Sequence, residues 1–249
     1  MHPILFKFGP VTIYSYGTML ALAFLLIIQL VSKKAEKSNI SPQIILDVSL
    51  IILISSVAGA RIAFVLKNFV YYKDNLPEII LFNRGGLFFF GGLITAIITA
   101  AIYLKAKKIF IWKMADIFAL YIPLGQALGR IGCFLNGCCY GKESTLPWAF
   151  LLPNQLCLAH PTQIYSSLGG VILFIILSLL YPKKKFDGEI FISYLFLYSI
   201  FRFSIEFFRG DHPVFAYYLT GSQWVCLGIF ISSIIFYFLF KKNKIKSHD

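Results

Sequence analysis

The chain has 249 residues, of which 58% are hydrophobic, 17% aromatic and 14% charged, with a mean hydropathy of +0.77. An average soluble domain carries roughly 25% charged residues, and a water-soluble globule of this length cannot hide so much apolar surface; intrinsic disorder, which needs low hydrophobicity, is excluded as well. The reading is an all-α integral membrane protein forming a single transmembrane domain over 1–249, and the net charge of +12 then points to the positive-inside rule and anionic lipid rather than to nucleic acid.

In chain order, the start Met1-His2-Pro3 lacks a basic n-region, so no cleavable signal peptide is expected and the first apolar run stays as a membrane helix. A spanning helix needs about 20 mostly apolar residues. Seven such runs are predicted, at 15–32, 43–66, 87–104, 111–132, 165–181, 190–208 and 223–240. The connections on one side carry 14 Lys and Arg residues and those on the other carry 5, which predicts the N-terminus outside and the C-terminus in the cytoplasm. The longer outer connections, 68–86 and 133–164, are rich in Gly, Pro, Asn and aromatics. Function is therefore expected toward the outer leaflet, where irregular backbone can line a cavity.

Charge inside the spans is the next signal, because an ionised side chain at mid-bilayer costs at least about 2.5–3.5 kcal/mol on the insertion scale. The second span holds Asp47 and Arg61, the fourth Asp116 and Arg130, and the sixth Arg202 and Glu206. Tyr198, Arg202, Glu206 and Arg209 follow one another at helical spacing, and a continuous helix would set them in a stripe of about 80°. Such a ladder reads as an anion or headgroup site, with a structural Arg202–Glu206 ion pair as the plainer alternative.

Arg130 sits in Gly125-Gln126-Ala127-Leu128-Gly129-Arg130-Ile131-Gly132-Cys133-Phe134-Leu135-Asn136-Gly137-Cys138-Cys139-Tyr140-Gly141. Glycines at that density allow close approach of a helix or a ligand. An Arg among them, at a helix end in a membrane, reads as a phosphate or carboxylate clamp. Gly141-Lys142 is not a P-loop, since Asn136 and Glu143 occupy positions that motif gives to Gly and Ser/Thr. A second glycine-rich stretch, Asn83-Arg84-Gly85-Gly86 through Gly91-Gly92-Leu93, leads into the third span and reads as a loop packed at the mouth of the site.

Cys133, Cys138, Cys139 and Cys157 all map to the outer side. Their C-x4-C-C spacing departs from the C-x2-C of zinc sites, so no metal is expected. A disulfide from Cys138 or Cys139 to Cys157 is allowed in an oxidising compartment; small buried residues are the alternative, and Cys226 reads as packing. His160, before Pro161-Thr162-Gln163, is divided evenly between a solvated loop residue and a site residue.

Taken together, these motifs resemble the bacterial prolipoprotein diacylglyceryl transferase family. That family's signature reads roughly G-R-x-G-N-F-x-N-x-E, against Gly129-Arg130-Ile131-Gly132-Cys133-Phe134-Leu135-Asn136 here, with Gly141 also in register. Tyr16-Gly17, Gly91-Gly92-Leu93, His160-Pro161-Thr162-Gln163-Ile164-Tyr165, Tyr198-x3-Arg202-x3-Glu206-x2-Arg209 and Gln223 agree in order and spacing over residues 4–240.

The resemblance implies that the domain is catalytic and that a diacylglyceryl group moves from phosphatidylglycerol to the lipobox cysteine thiol of a prolipoprotein, releasing glycerol 1-phosphate. It implies a place in the bacterial cytoplasmic membrane and no metal or organic cofactor. The implied catalytic residues are Arg130, Arg202, Tyr16 and Tyr198. Arg130, Asn136, Gly141, Glu206, Arg209, His160, Gln163, Gln223, Gly91 and Gly92 are the implied substrate-binding residues. Three positions depart from the family pattern: Cys133 for the signature Asn, Phe90 for the His before Gly-Gly-Leu, and Ser166 for the Glu after His-Pro-Ser/Thr-Gln. The departures leave room for a paralogous lipid-modifying enzyme. A thiol–disulfide oxidoreductase would use the outer cysteines but leaves Arg202 and Glu206 without a role, and a lipid or anion transporter would be expected to show a repeat, which the sequence lacks.

Overall fold

The computed structural model describes residues 2–9, 11–80, 86–151, 157–210 and 214–246. In order the elements are β1 (Ile4–Phe8), β2 (Val11–Tyr14), α1 (Ser15–Glu36), α2 (Pro42–Lys67), a short α3 (Phe69–Tyr72), α4 (Phe89–Ala106), α5 (Ile111–Asn136), β3 (Phe150–Leu151), β4 (Leu158–Ala159), α6 (Thr162–Leu180), α7 (Glu189–Glu206), β5 (Val214–Ala216), β6 (Leu219–Thr220) and α8 (Gly221–Lys246). Among the described residues each of the seven apolar runs becomes a long helix, with bounds shifted by up to six residues.

Six of them, all but α7, are long and apolar enough to cross a membrane. The seventh, α7, has 18 residues and carries Glu189, Arg202 and Glu206 among them. The helices leave large side chains such as Leu25, Ile54, Leu66 and Leu179 more than 60% exposed, which a membrane protein tolerates because lipid is its solvent. The fold is that of a mostly helical multi-pass membrane protein.

Among the described residues three antiparallel pairs, β1–β2, β3–β4 and β5–β6, were not expected from the sequence. They are short, and their residues carry no long alternating pattern. The tip of the last hairpin is Tyr217-Tyr218, both with positive φ and both largely exposed.

The chain divides into two compact units, residues 32–114 and residues 1–31 with 115–249. In the first of these, α2 and α4 pack closely. A Cβ on Gly91 would stand 2.2 Å from Ala63 Cβ, and one on Gly92 2.6 Å from the Ser56 carbonyl oxygen, so the Gly pair serves helix approach. Asp47 accepts from Tyr103 Oη at 2.5 Å and from Gln43 Nε2 at 2.9 Å. Arg61, 4% exposed, donates through Nε to the Ile79 carbonyl, through Nη1 to Gly86 and through Nη2 to Glu78. It also lies over the Phe64 and Tyr72 rings. Both charges that the sequence flagged in this span are therefore satisfied within the protein. Residues 83–85 of the second glycine-rich stretch, Arg84 included, lie outside the described residues.

The other unit holds most of α1 and α5 together with α6, α7 and α8. Ala119, Leu120, Leu177, Ile190 and Tyr194 form its core cluster, with Tyr198 packed against it. Asp116 is fully buried and accepts from the backbone N–H groups of Gly188 and Phe191, both at 2.9 Å, and from Lys184 Nζ at 3.2 Å. A carboxylate there satisfies orphan donors at the start of α7 and complements the helix dipole. It fastens the basic turn 183–188 to α5. Gln126 Nε2 donates to Tyr194 Oη at 2.8 Å, a second polar tie from α5 to α7.

Candidate active site

The end of α5 is the richest cluster of chemistry-bearing side chains in its unit. Tyr16 opens α1, and a Cβ on Gly132 would lie 3.4 Å from Tyr16 Cα, so α1 and α5 touch one turn from Arg130. Arg130 and the thiols of Cys133, Cys138 and Cys139 are electrostatic neighbours of Tyr16. Arg130 itself is half-buried. Among the described residues none accepts a hydrogen bond from it or forms an ion pair with it. A guanidinium carries five N–H donors, so a half-buried one with no protein acceptor among the described residues keeps them available.

Past Asn136 the chain turns through Gly137 and Cys139, both with positive φ, and doubles back. Thr162 Oγ1 donates to the Cys139 carbonyl at 2.8 Å and Gln163 Nε2 to the Cys138 carbonyl at 2.7 Å. Both side chains are 1% exposed and open α6. Gln163 Oε1 is buried and has no partner among the described residues. Asn136 hydrogen-bonds the Cys138 thiol. The sulfurs of Cys133, Cys138 and Cys139 lie within 4.8 Å of one another. The hydrogen bond from the Cys133 thiol, with the Arg209 and Arg130 charges, holds the Cys139 thiol below the ordinary thiol range, while burial pushes Cys138 up.

All five cysteines are free. Cys157 is exposed, and its thiol hydrogen-bonds Glu143, which raises its pKa. The sulfur that joins Cys138 and Cys139 is thus Cys133, not Cys157 as the disulfide reading had it; Cys133 is presented from the last turn of α5, which linear spacing did not reveal.

Gly141 is where this loop meets two other segments. Its N–H donates to the His160 carbonyl at 3.0 Å and it forms an isolated β-bridge with Arg209. A Cβ at Gly141 would stand 2.5 Å from His160 Cβ and 2.7 Å from the Phe208 carbonyl oxygen, so no larger residue fits without displacing backbone. His160 packs its ring on Tyr165 and Phe208, with Nδ1 3.3 Å from Tyr165 Oη. Gly141 and His160 thus pack together where the loop meets the segment before α6 and the end of α7.

The ladder expected along the sixth span is interrupted. The helix α7 ends at Glu206, so Arg209 leaves the helical stripe and becomes part of the loop bridge, 6% exposed and close enough to act on the Cys139 thiol. Arg202 Nη1 lies 2.5 Å from Glu206 Oε2, the plainer ion-pair alternative. Glu206 Oε1 accepts from Thr220 Oγ1 at 2.8 Å. Thr220 and Gln223 in turn form a capping box for α8: Thr220 N–H donates to Gln223 Oε1 at 2.9 Å and Gln223 N–H donates to Thr220 Oγ1 at 3.3 Å. Gln223 thus spends its carbonyl oxygen on a helix cap. Thr220 was missed from the sequence, although T-x-x-Q before an apolar run is a helix-start signal; Thr162 stood in the motif after His160 without a role of its own.

The structure accordingly brings Tyr16, Arg130, Asn136, Gly141, His160, Gln163 and Arg209 together around the cysteine loop. It links Arg202, Glu206 and Gln223 in one network, puts Tyr198 against the core, and packs Gly91 and Gly92 against α2 in the unit 32–114. Phe90 is exposed. Ser166 donates to the Thr162 carbonyl at 2.7 Å within its own helix. A cavity of about 300 Å³ between α7 and α8, lined by Ile192, Phe196, Leu197, Ser233 and Tyr237, is apolar and contains none of these residues.

Comparison with known proteins places this arrangement in context. A family model described as prolipoprotein diacylglyceryl transferase matches residues 3–239. Proteins named phosphatidylglycerol–prolipoprotein diacylglyceryl transferase are similar along the chain. The one from Finegoldia magna is 38% identical, covering 100% of both chains. That from Clostridioides difficile is 34% identical over 98% of each. A third, from Clostridium tetani, is 33% identical over 94% of this chain and 98% of its own.

Proposed function

Since the chain belongs to the prolipoprotein diacylglyceryl transferase family, we propose that it transfers a diacylglyceryl group from phosphatidylglycerol to the lipobox cysteine thiol of prolipoproteins and releases glycerol 1-phosphate. The S–C bond to the diacylglyceryl carbon forms as that carbon's C–O bond to phosphate breaks, and the thiol proton passes to a protein group or to the departing phosphate. Neither the oxidoreductase nor the paralogue reading is favoured by full-length relatives that carry the transferase name.

The observation that carries the residue assignment is Arg130, half-buried with no acceptor of its own among the described residues. Negative charge grows on the leaving phosphate in the transition state, and a preorganised guanidinium fork lowers the barrier by meeting it. Arg209, whose charge reaches the same thiol, is the second cation of the clamp. Arg202, already paired with Glu206, positions the end of α7 and the cap of α8. In a chain whose residue 90 is Phe, the departing phosphate takes the acceptor proton, and the Tyr16 hydroxyl beside Arg130 relays it, giving up its own proton as it receives the thiol's. Gln163 Oε1 offers an acceptor for a headgroup hydroxyl, and Asn136, Gly141 and His160 hold the loop around it.

In this reading the chain 1–249 is one catalytic domain with seven spans in the bacterial cytoplasmic membrane, N-terminus outside and C-terminus inside. Support comes from the basic asymmetry and from a family match over 3–239. Purified protein, phosphatidylglycerol and a lipobox peptide should yield a peptide heavier by one diacylglyceryl group; no adduct from active-quality protein overturns the function. For orientation, Lys183→Cys, an exposed position beside the Lys184–Asp116 tie, should resist an impermeant thiol reagent in intact cells.

A further inference from the structure

We propose that Cys133, Cys138 and Cys139 form a binding site for one thiophilic d10 metal ion of the Zn2+, Cd2+ and Cu+ class, at the end of α5. The linear C-x4-C-C spacing argues against a metal, because adjacent side chains ordinarily diverge. Here Cys139 has φ +62, and the turn it makes returns its sulfur toward Cys133 on the helix. The three sulfurs lie within 4.8 Å of one another, and Cys138 and Cys139 Sγ are 3.8 Å apart. Two metal–sulfur bonds of about 2.3 Å at a tetrahedral angle span about 3.8 Å, so one edge of the site already has the right length and the others close with shifts of at most about 1 Å.

The surroundings are those of a built site. The carbonyls of Cys138 and Cys139 are held by Gln163 and Thr162, both buried, so the loop carries its sulfurs in fixed positions. Such outer contacts orient ligands and raise affinity. Three thiolates around a divalent ion leave a net negative complex, and Arg130 and Arg209 both act on these thiols with compensating charge. Thiolate ligands select soft ions over Mg2+ or Ca2+. On binding, each coordinating thiol gives up its proton to solvent, so affinity rises with pH.

This site goes beyond the transferase reading and does not rest on it. Cd2+ is the probe, added to the reduced, full-length protein in detergent without lipid or peptide. The ultraviolet thiolate-to-metal charge-transfer band should grow to saturation at about one ion per chain. Cys139→Ser should weaken binding by more than about tenfold, and Cys157→Ser and Cys226→Ser should leave it intact. Because a serine variant can misfold, the unaltered protein supplies a second readout: bound Cd2+ should protect Cys133, Cys138 and Cys139 from alkylation, read by peptide mass, while Cys157 stays reactive. Equal alkylation of the three with and without Cd2+, or a band that follows Cys157, overturns the site. Neither readout uses substrate, so failure here leaves the transferase function standing, and absence of a lipid adduct leaves the metal site standing.

Discussion

Arg61 and Arg130 stand in helices of equal length, 26 residues each, and both helices are apolar enough to cross a membrane. Hydropathy treats the two charges alike. The hydrogen bonds separate them. Arg61 gives Nε, Nη1 and Nη2 to carbonyls of the segment that follows its helix, and two aromatic rings cover it. Arg130 gives none to the described residues and has thiols and a tyrosine for neighbours. A charge inside a membrane helix is expensive wherever it stands; the chain's own acceptors offset that expense at Arg61 and leave it standing at Arg130, the difference on which the proposed ligand role of Arg130 rests.

The largest loss of stability is expected at Arg61. Arg61→Ala leaves three carbonyls without their donor, at about 1–3 kcal/mol each. The unfolding temperature in detergent and the folded yield should fall sharply, while transfer per folded molecule falls far less than for Arg130 variants. A stable Arg61→Ala protein with no activity would reverse the two roles.

Arg130→Lys keeps the charge and loses the bidentate fork. With about 1.5–3 kcal/mol lost from charge-assisted hydrogen bonds, the rate should drop about 10- to 150-fold with unchanged thermal stability. Kinetics beside a melting curve check both halves. For the proton, Tyr16→Phe should slow transfer by about tenfold or more and change the pH profile, and Phe90→His should change the rate less. A large gain from Phe90→His with Tyr16→Phe silent would show that Tyr16 does not relay the proton. The smallest effect is expected at the cap: Thr220→Ala should cost about 1 kcal/mol of stability, seen as a lowered melting temperature, with Gln223→Ala moving it the same way.

Much of this architecture was legible because lipid imposes one rule, a long apolar run, and each of the seven runs became a long helix. The hairpins escaped because strands of 2 to 5 residues carry almost no periodic signal. The motif around Arg130 was readable as chemistry, yet its sulfur cluster depends on a positive φ at Cys139, a backbone choice that residue type does not announce. Arg209 was misplaced on the helical stripe because nothing in Glu206-Phe207-Phe208-Arg209 marks where α7 stops. The carboxylates tell a similar story: Asp116 and Glu206 were both visible as intramembrane charges, but only the fold reveals the donors that each meets within the protein.

In the proposed function Arg130 is held open for the lipid phosphate. The most direct test of that role is the rate of diacylglyceryl transfer to a lipobox peptide by folded Arg130→Ala, read by mass. Loss of a desolvated charge interaction of about 2–5 kcal/mol predicts a rate about 30- to 5,000-fold below that of the unaltered protein. A folded Arg130→Ala enzyme working within a few-fold of the unaltered protein would contradict the account.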